Sequence, residues 1–185
     1  MKSNAIARPY MLATALVALS ALTPIAQSAP ETPSLDQLAS YLTGHWQCDG
    51  HFANGKSISS VETFKPILDG KWLLEIHQDN PPHRYSAYSI WGPDAEHGKF
   101  SVVIHDNSGG LRNFYATNIN SVTTRLESAD AGSIREAFMF VRQAPDKLRI
   151  TYERGVDGKA LQLGDTLLCT RAPELAEPDT AGSSR

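Results

Sequence analysis

The sequence lacks most of the signatures by which chemistry can be read directly from a chain. It holds only two cysteines in 185 residues, which excludes a cysteine-rich scaffold, and no Cys-x-x-Cys pair. It has no surplus of basic charge: 17 Lys and Arg against 20 Asp and Glu leave a net charge of −3, the wrong sign for a phosphate-backbone binder. Nucleic acid is therefore not expected as a partner. Gly-x-Ser-x-Gly, His-Glu-x-x-His, Gly-x-Gly-x-x-Gly and the phosphate loop are all missing. Their absence removes the enzymes recognisable by motif and leaves others open. The six histidines include no His-x-His pair, the spacing that places two ligands on one face of a strand. Asp49 and His51 have that spacing but oppose Trp46 in parity and are read as solvent-facing. His105 and Asp106 are strand neighbours and point to opposite faces. No metal and no cofactor is expected.

What is present begins with a leader. Lys2 and Arg8 precede an apolar run, Met11 to Leu22, and then Pro24 and small residues. This is the layout of a secretory signal peptide over residues 1–28, with the mature chain starting between Gln27 and Pro30. The apolar run is too short for a comfortable membrane span, so none is expected in the mature chain. Losing Lys2 and Arg8 leaves 15 basic against 20 acidic residues, a charge with little attraction for anionic lipid. Export to the periplasm or beyond would place Cys48 and Cys169 where disulfides persist.

Residues 34–171 read as one domain. Ser34 and Gln37 are spaced as a capping box, and Leu35, Leu38, Tyr41 and Leu42 share one helical face up to Gly44. One short helix, about Leu35 to Leu42, is expected. Ten short strand candidates follow without intervening helices: 45–52, 57–66, 71–78, 84–91, 99–105, 111–118, 122–128, 133–143, 147–154 and 161–171. Asn54-Gly55, Asp69-Gly70 and Asp157-Gly158 are hairpin signals among the breaks. The sequence from 172 to 185 is rich in Pro, Glu, Ala and Ser, has no periodicity, and reads as a disordered tail.

Ten strands in series predict an all-β, antiparallel up-and-down meander that curls into a barrel or splits into a sandwich. One register favours the barrel. If Cys48 on the first strand opposes Cys169 on the last, Trp46 opposes Arg171. A disulfide and a cation–π pair then arise together at a closing seam. The competing reading of the cysteines is two small buried thiols.

The stretch Gly44-His-Trp-Gln-Cys-Asp-Gly50, following a short helix, resembles the Gly-x-Trp opening of the calycin superfamily, the lipocalins and fatty-acid-binding proteins. In that superfamily the tryptophan packs on a basic residue of the last strand. The resemblance thus assigns Trp46 and Arg171 to closing one end of the barrel. Leu68-Asp-Gly-Lys-Trp-Leu-Leu74 and Tyr88-Ser-Ile-Trp-Gly-Pro-Asp94 add a resemblance to bacterial secreted proteins with a lipocalin-like barrel. That family implies a fold and no activity. The opening also resembles, more distantly, that of the nitrobindins, whose haem ligand is a histidine near the C-terminus. No histidine follows His105 here, so haem binding does not transfer.

Alternation places Trp72, Ile76, Tyr88, Val102, Ile104, Phe138, Phe140 and Tyr152 on the interior face, with Glu136, Arg142 and Arg154 as its few charges. Glu136 is then either paired with an arginine at the rim or a polar anchor for a ligand head group. The interior of ten strands is wider than side chains readily fill. A small, largely apolar molecule is the expected partner. The alternatives are an enzyme of cyclase or isomerase type using the same cavity, and a filled barrel acting through its outer surface. Oligomeric state has no sequence signal.

Overall fold

The computed structural model describes residues 35–130 and 132–173. The leader 1–28, Ser34 and the tail from 174 onward lie outside the described residues. A helix α1 (Leu35–Leu42) is followed by ten strands: β1 (Gly44–Phe52), β2 (Ser57–Ile67), β3 (Trp72–Asp79), β4 (Ser86–Asp94) and β5 (Lys99–Asp106), then β6 (Leu111–Ile119), β7 (Thr123–Ser128), β8 (Ile134–Ala144), β9 (Lys147–Val156) and β10 (Gln162–Ala172). Each strand pairs antiparallel with its sequence neighbours, and β10 pairs with β1, so the sheet is a closed barrel. Closure removes the two edges that an open meander would expose.

The hairpin breaks have a backbone cause. Asp157 and Gly158 both take positive φ, 53° and 75°, in the turn between β9 and β10. Only β4 runs appreciably past its expected end. Gly92 and Pro93 continue the strand opposite Ser101 and Phe100, and the chain turns instead at 95–98, where Asp94 accepts from the His97 amide at 3.2 Å. Gly92 is required there, because a Cβ would fall on the ring of Trp72, which lies across it on the outer face.

The closing seam has the register that the cysteines and Trp46 predict: Cys48 faces Cys169 and Trp46 faces Arg171. The two sulfurs are bonded at 2.02 Å across 121 residues of sequence. Both cysteines point inward and are buried.

One end of the barrel is plugged by α1. Leu38, Tyr41 and Leu42 are its buried face. The Tyr41 hydroxyl reaches Thr124 on β7 at 3.0 Å, and Trp46 donates its indole N–H to the Leu42 carbonyl at 2.8 Å. Arg171 lies 4.2 Å over the Trp46 ring and donates to the carbonyls of Thr43 and Tyr41, the latter at 2.7 Å. These are the carbonyls a helix C-terminus leaves unpaired, and a cation there also complements the helix dipole. Gly44, with φ of 126°, leaves room for that guanidinium. Above the plug, Phe64, Trp91 and Phe140 meet edge to face, with centroids 5.0–6.5 Å apart. This layer divides a solid half of the barrel from a hollow one.

Candidate functional site

The hollow half holds an open-mouthed cavity of about 420 Å³. Ile58, Ala87, Trp91, Ile104, Leu126, Phe138, Phe140, Ile150 and Leu167 supply its apolar lining. A space of that size, mostly apolar with a few convergent polar groups, has the character of a small-molecule site.

The polar groups come mainly from β2, β3 and β10. Register places Glu62 directly opposite His77, Ser60 opposite Asp79 and Glu75 opposite Ser89, and residues so paired share a face. Glu75, His77 and Asp79 are two apart and line the same face of β3. Nδ1 of His77 lies 2.6 Å from Oε1 of Glu62, and Nε2 lies 2.9 Å from Oδ1 of Asp79. A neutral imidazole has one N–H, so two carboxylate partners hold the ring as the imidazolium. Burial alone would lower the His77 pKa. The hydrogen bonds to Asp79 and Glu62, with the charges of Glu62 and Glu75, overcome this and raise it to about 10. Ser60 also donates to Glu62, at 3.0 Å. Glu75 accepts from the indole N–H of Trp91 at 3.0 Å. Burial first, and then the charge of Glu62, raise its carboxyl to about 7. Asp165, on β10, is raised to about 6 by burial, with Asp79 and Glu62 adding in the same direction and His77 opposing.

A second polar group sits across the chamber. Arg112 on β6 pairs with Glu136 on β8 at 3.3 Å, bonds the Tyr85 hydroxyl, and lies 3.8 Å from Asp106. Tyr152 on β9 donates to the same Glu136 oxygen at 2.5 Å. Burial and the Glu136 carboxylate raise the Tyr152 pKa, so the hydroxyl keeps its proton. Tyr85 links the two groups, its ring centroid 5.3 Å from that of His77. Phe52 and His83, in edge contact at 5.3 Å, mark the mouth.

These pKa directions carry a stability consequence of one sign. Glu75 and Asp165 titrate above their unfolded values of 4.5 and 3.8. As pH rises through 4–7 the unfolded chain loses those protons first, and folding weakens. His77 titrates above its unfolded 6.5, so its contribution is full below pH 6.5 and is lost as pH climbs toward 10. Denaturant unfolding is therefore expected to give a free energy at pH 5 greater than that at pH 9, by at least about 3 kcal/mol. Glu75→Gln should flatten the segment between pH 4.5 and 7. A stability maximum at pH 8–9 would contradict this arrangement.

The expected interior residues divide. Ile104, Phe138, Phe140 and Tyr152 line the cavity. Val102 points inward and is fully buried, outside the cavity lining. Glu136 is inward and engaged by Arg112 and Tyr152. Three assignments are corrected. Trp72, Ile76 and Tyr88 stand on the outer face, with Ile76 directly opposite Tyr88 and Tyr88 58% exposed. On β3 the more apolar parity faces out, because the opposite parity carries Leu73 into the core together with the polar cluster, and on β4 Trp91 takes the inward parity and leaves Tyr88 outside. Arg142 lies at the plugged end, 5.9 Å over the Tyr41 ring, and Arg154 is exposed. Sequence reasoning missed Glu62, Glu75, His77, Asp79, Asp165, Arg112 and Tyr85. One signal was available: Glu75-x-His77-x-Asp79 puts three ionisable groups on one face of a strand. Among the described residues no three such groups converge on a common metal position.

No family model and no curated protein matches the sequence. Solved structures similar to it include EF1p2_mFAP2b bound to DFHBI, 14% identical, covering 75% of this chain and 100% of that one with a TM-score of 0.37. A redesigned β-barrel, b11L5F_LGL, is 12% identical, covering 78% of this chain and 100% of that one with a TM-score of 0.35.

Proposed function

We propose that the chain is an exported small-molecule-binding barrel whose internal cavity takes a largely apolar ligand. The observation that carries this reading is the space of about 420 Å³ above the aromatic layer, lined by aromatic and aliphatic side chains on one side and by the Glu62, Glu75, His77, Asp79 and Asp165 group on the other. Apolar burial there contributes on the order of 25 cal/mol per Å², and the polar groups orient the ligand. Export is supported by the Cys48–Cys169 bridge, a bond that persists in oxidising compartments. The described residues contain no helix long and apolar enough to cross a membrane. The calycin-like reading is supported by the short helix, the Gly44-x-Trp46 opening and the stacking of Arg171 on Trp46.

The test is a titration with apolar fluorescent probes, following emission of Trp91, whose indole lines the cavity. Saturable binding is expected. Phe138→Ala should weaken it about tenfold, the equivalent of roughly 1.4 kcal/mol of lost apolar contact. Glu136→Gln should change it less, because Glu136 lies behind Tyr152 and Arg112. Failure of every probe to bind would overturn the proposal.

A second reading, an enzyme of cyclase or isomerase type in the same cavity, is favoured by one observation. Glu75 titrates near neutrality within an apolar chamber and can hold or release a proton at working pH. Its sign would be conversion of a bound molecule at a rate that follows a single ionisation near pH 7 and is lost in Glu75→Gln.

A further inference from the structure

The carboxylate wall of the cavity is short of positive charge. Glu62, Glu75, Asp79 and Asp165 line it, and the cation set among them is His77, with both ring nitrogens already committed. The two terminal nitrogens of Arg112 are engaged by Glu136, Tyr85 and, at 3.8 Å, Asp106 on the other side of the chamber, while its buried Nε has no acceptor among the described residues. Arg84 is exposed at the rim. Oε2 of Glu62, on a residue with 0% exposure, is buried without a hydrogen-bond donor among the described residues. No donor among the described residues reaches the Asp165 carboxyl either, although it faces the cavity from β10. An orphaned buried carboxylate oxygen costs free energy unless something supplies a donor or a positive charge.

Resting on the reading of the cavity as a ligand site, we propose that the ligand carries a protonated nitrogen, an ammonium or amidinium group, on an apolar aromatic body. Its nitrogen seats at the wall formed by Glu62, Glu75, Asp79 and Asp165, and its body lies on Trp91, Phe138 and Phe140. An anionic head group would meet surplus negative charge at this wall. A neutral one would leave that surplus uncompensated.

The proposal makes binding a proton-linked event. In the free protein the titratable groups acting on Glu75 are Glu62 from β2 and His77 from its own strand, with Tyr85 beside it, and Asp79, Asp165 and Arg112 line the same chamber. From β4, Ser89 and Trp91 face it, and neither titrates in this range. The surplus of carboxylates over cations in this set adds to burial in keeping Glu75 and Asp165 partly protonated near neutral pH. A cation seated between them favours their ionised forms and expels those protons. Affinity for the cation therefore rises as pH climbs from 5 to 8.

Three probes of one shape test this: naphthylmethylamine, naphthylmethanol and naphthoate, titrated calorimetrically into the full chain in two buffers of different ionisation enthalpy. At pH 7.5 the amine should bind at least tenfold more tightly than the alcohol, and naphthoate more weakly than either. The advantage of the amine over the alcohol should grow from pH 5 to 8, and the buffer dependence should report proton release. Asp165→Asn and Glu75→Gln should each reduce that advantage several-fold, while Tyr88→Ser on the outer face should not. The two neutralising variants relieve carboxylate repulsion, so they remain foldable reagents. An alcohol that binds as tightly as the amine would overturn the inference and leave the cavity reading standing. If none of the three probes binds, both fall.

Discussion

Replacing His77 with alanine should destabilise the fold by about 3–5 kcal/mol at pH 8, among the largest effects of any single change in the barrel. The imidazolium is the counter-charge for two carboxylates that are almost fully buried, Glu62 at 0% and Asp79 at 8% exposure. Removing one partner of a buried ionic group leaves uncompensated charge, which costs far more than the intact group contributes. The remedy open to the variant is to protonate Glu62 or Asp79. Below pH 6.5 the wild-type imidazolium is fully charged in both states, so the deficit relative to wild type should shrink as pH falls from 6.5 toward 5. Urea unfolding at pH 8, 6.5 and 5 measures both parts. A deficit below 1 kcal/mol at pH 8, or one that is independent of pH, would contradict the ionic description of the cluster.

Removal of the Cys48–Cys169 bridge is the second large effect. The closed loop spans 121 residues, for which the chain-entropy account gives roughly 5 kcal/mol, with 2–4 kcal/mol the common range for bridges of this kind. The bond joins the first strand to the last, the contact in this topology that costs most chain entropy to form. Both side chains are buried, so a Cys48→Ala, Cys169→Ala variant loses the sulfurs' packing as well as the cross-link. A drop of at least 2 kcal/mol in denaturant unfolding is expected, with the barrel's circular dichroism retained under native conditions. Unchanged stability, or two alkylatable thiols in the non-reduced protein, would contradict the role assigned to the seam.

The architecture was legible because its signals are local and redundant. Asn-Gly and Asp-Gly breaks fix where the chain turns, and strands such as Leu148-x-Ile150-x-Tyr152 show their face without ambiguity. The closing register was legible from just four residues, Trp46, Cys48, Cys169 and Arg171, because two separate contacts demanded the same pairing. The inward placement of Glu136 was legible for a similar reason, since it shares parity with Phe138 and Phe140. The polar cluster on β3 was hidden by the rule that exposed the rest. Alternation assigns the more apolar face of a strand to the interior. On β3 that face is Trp72, Leu74 and Ile76, which stand outside, while Glu75, His77 and Asp79 lie within. Their burial is tolerable only because Glu62 on the neighbouring strand completes the hydrogen bonding of His77, a pairing that depends on the β2–β3 register. Local pattern and global fold disagree most where charge is held inside.

The central claim is that the upper half of the barrel is hollow and is the binding site. Ala87 lines that space opposite His77, and a phenyl ring built there should occupy it. The decisive measurement is a titration of Ala87→Phe beside wild type with one neutral apolar fluorescent probe, on protein whose unfolding free energy has been determined. A hollow barrel predicts unchanged or higher stability and a loss of affinity of more than tenfold. A solid interior would instead be overpacked, at a cost of about 1–3 kcal/mol, with probe affinity unchanged; that pair of results would contradict the account.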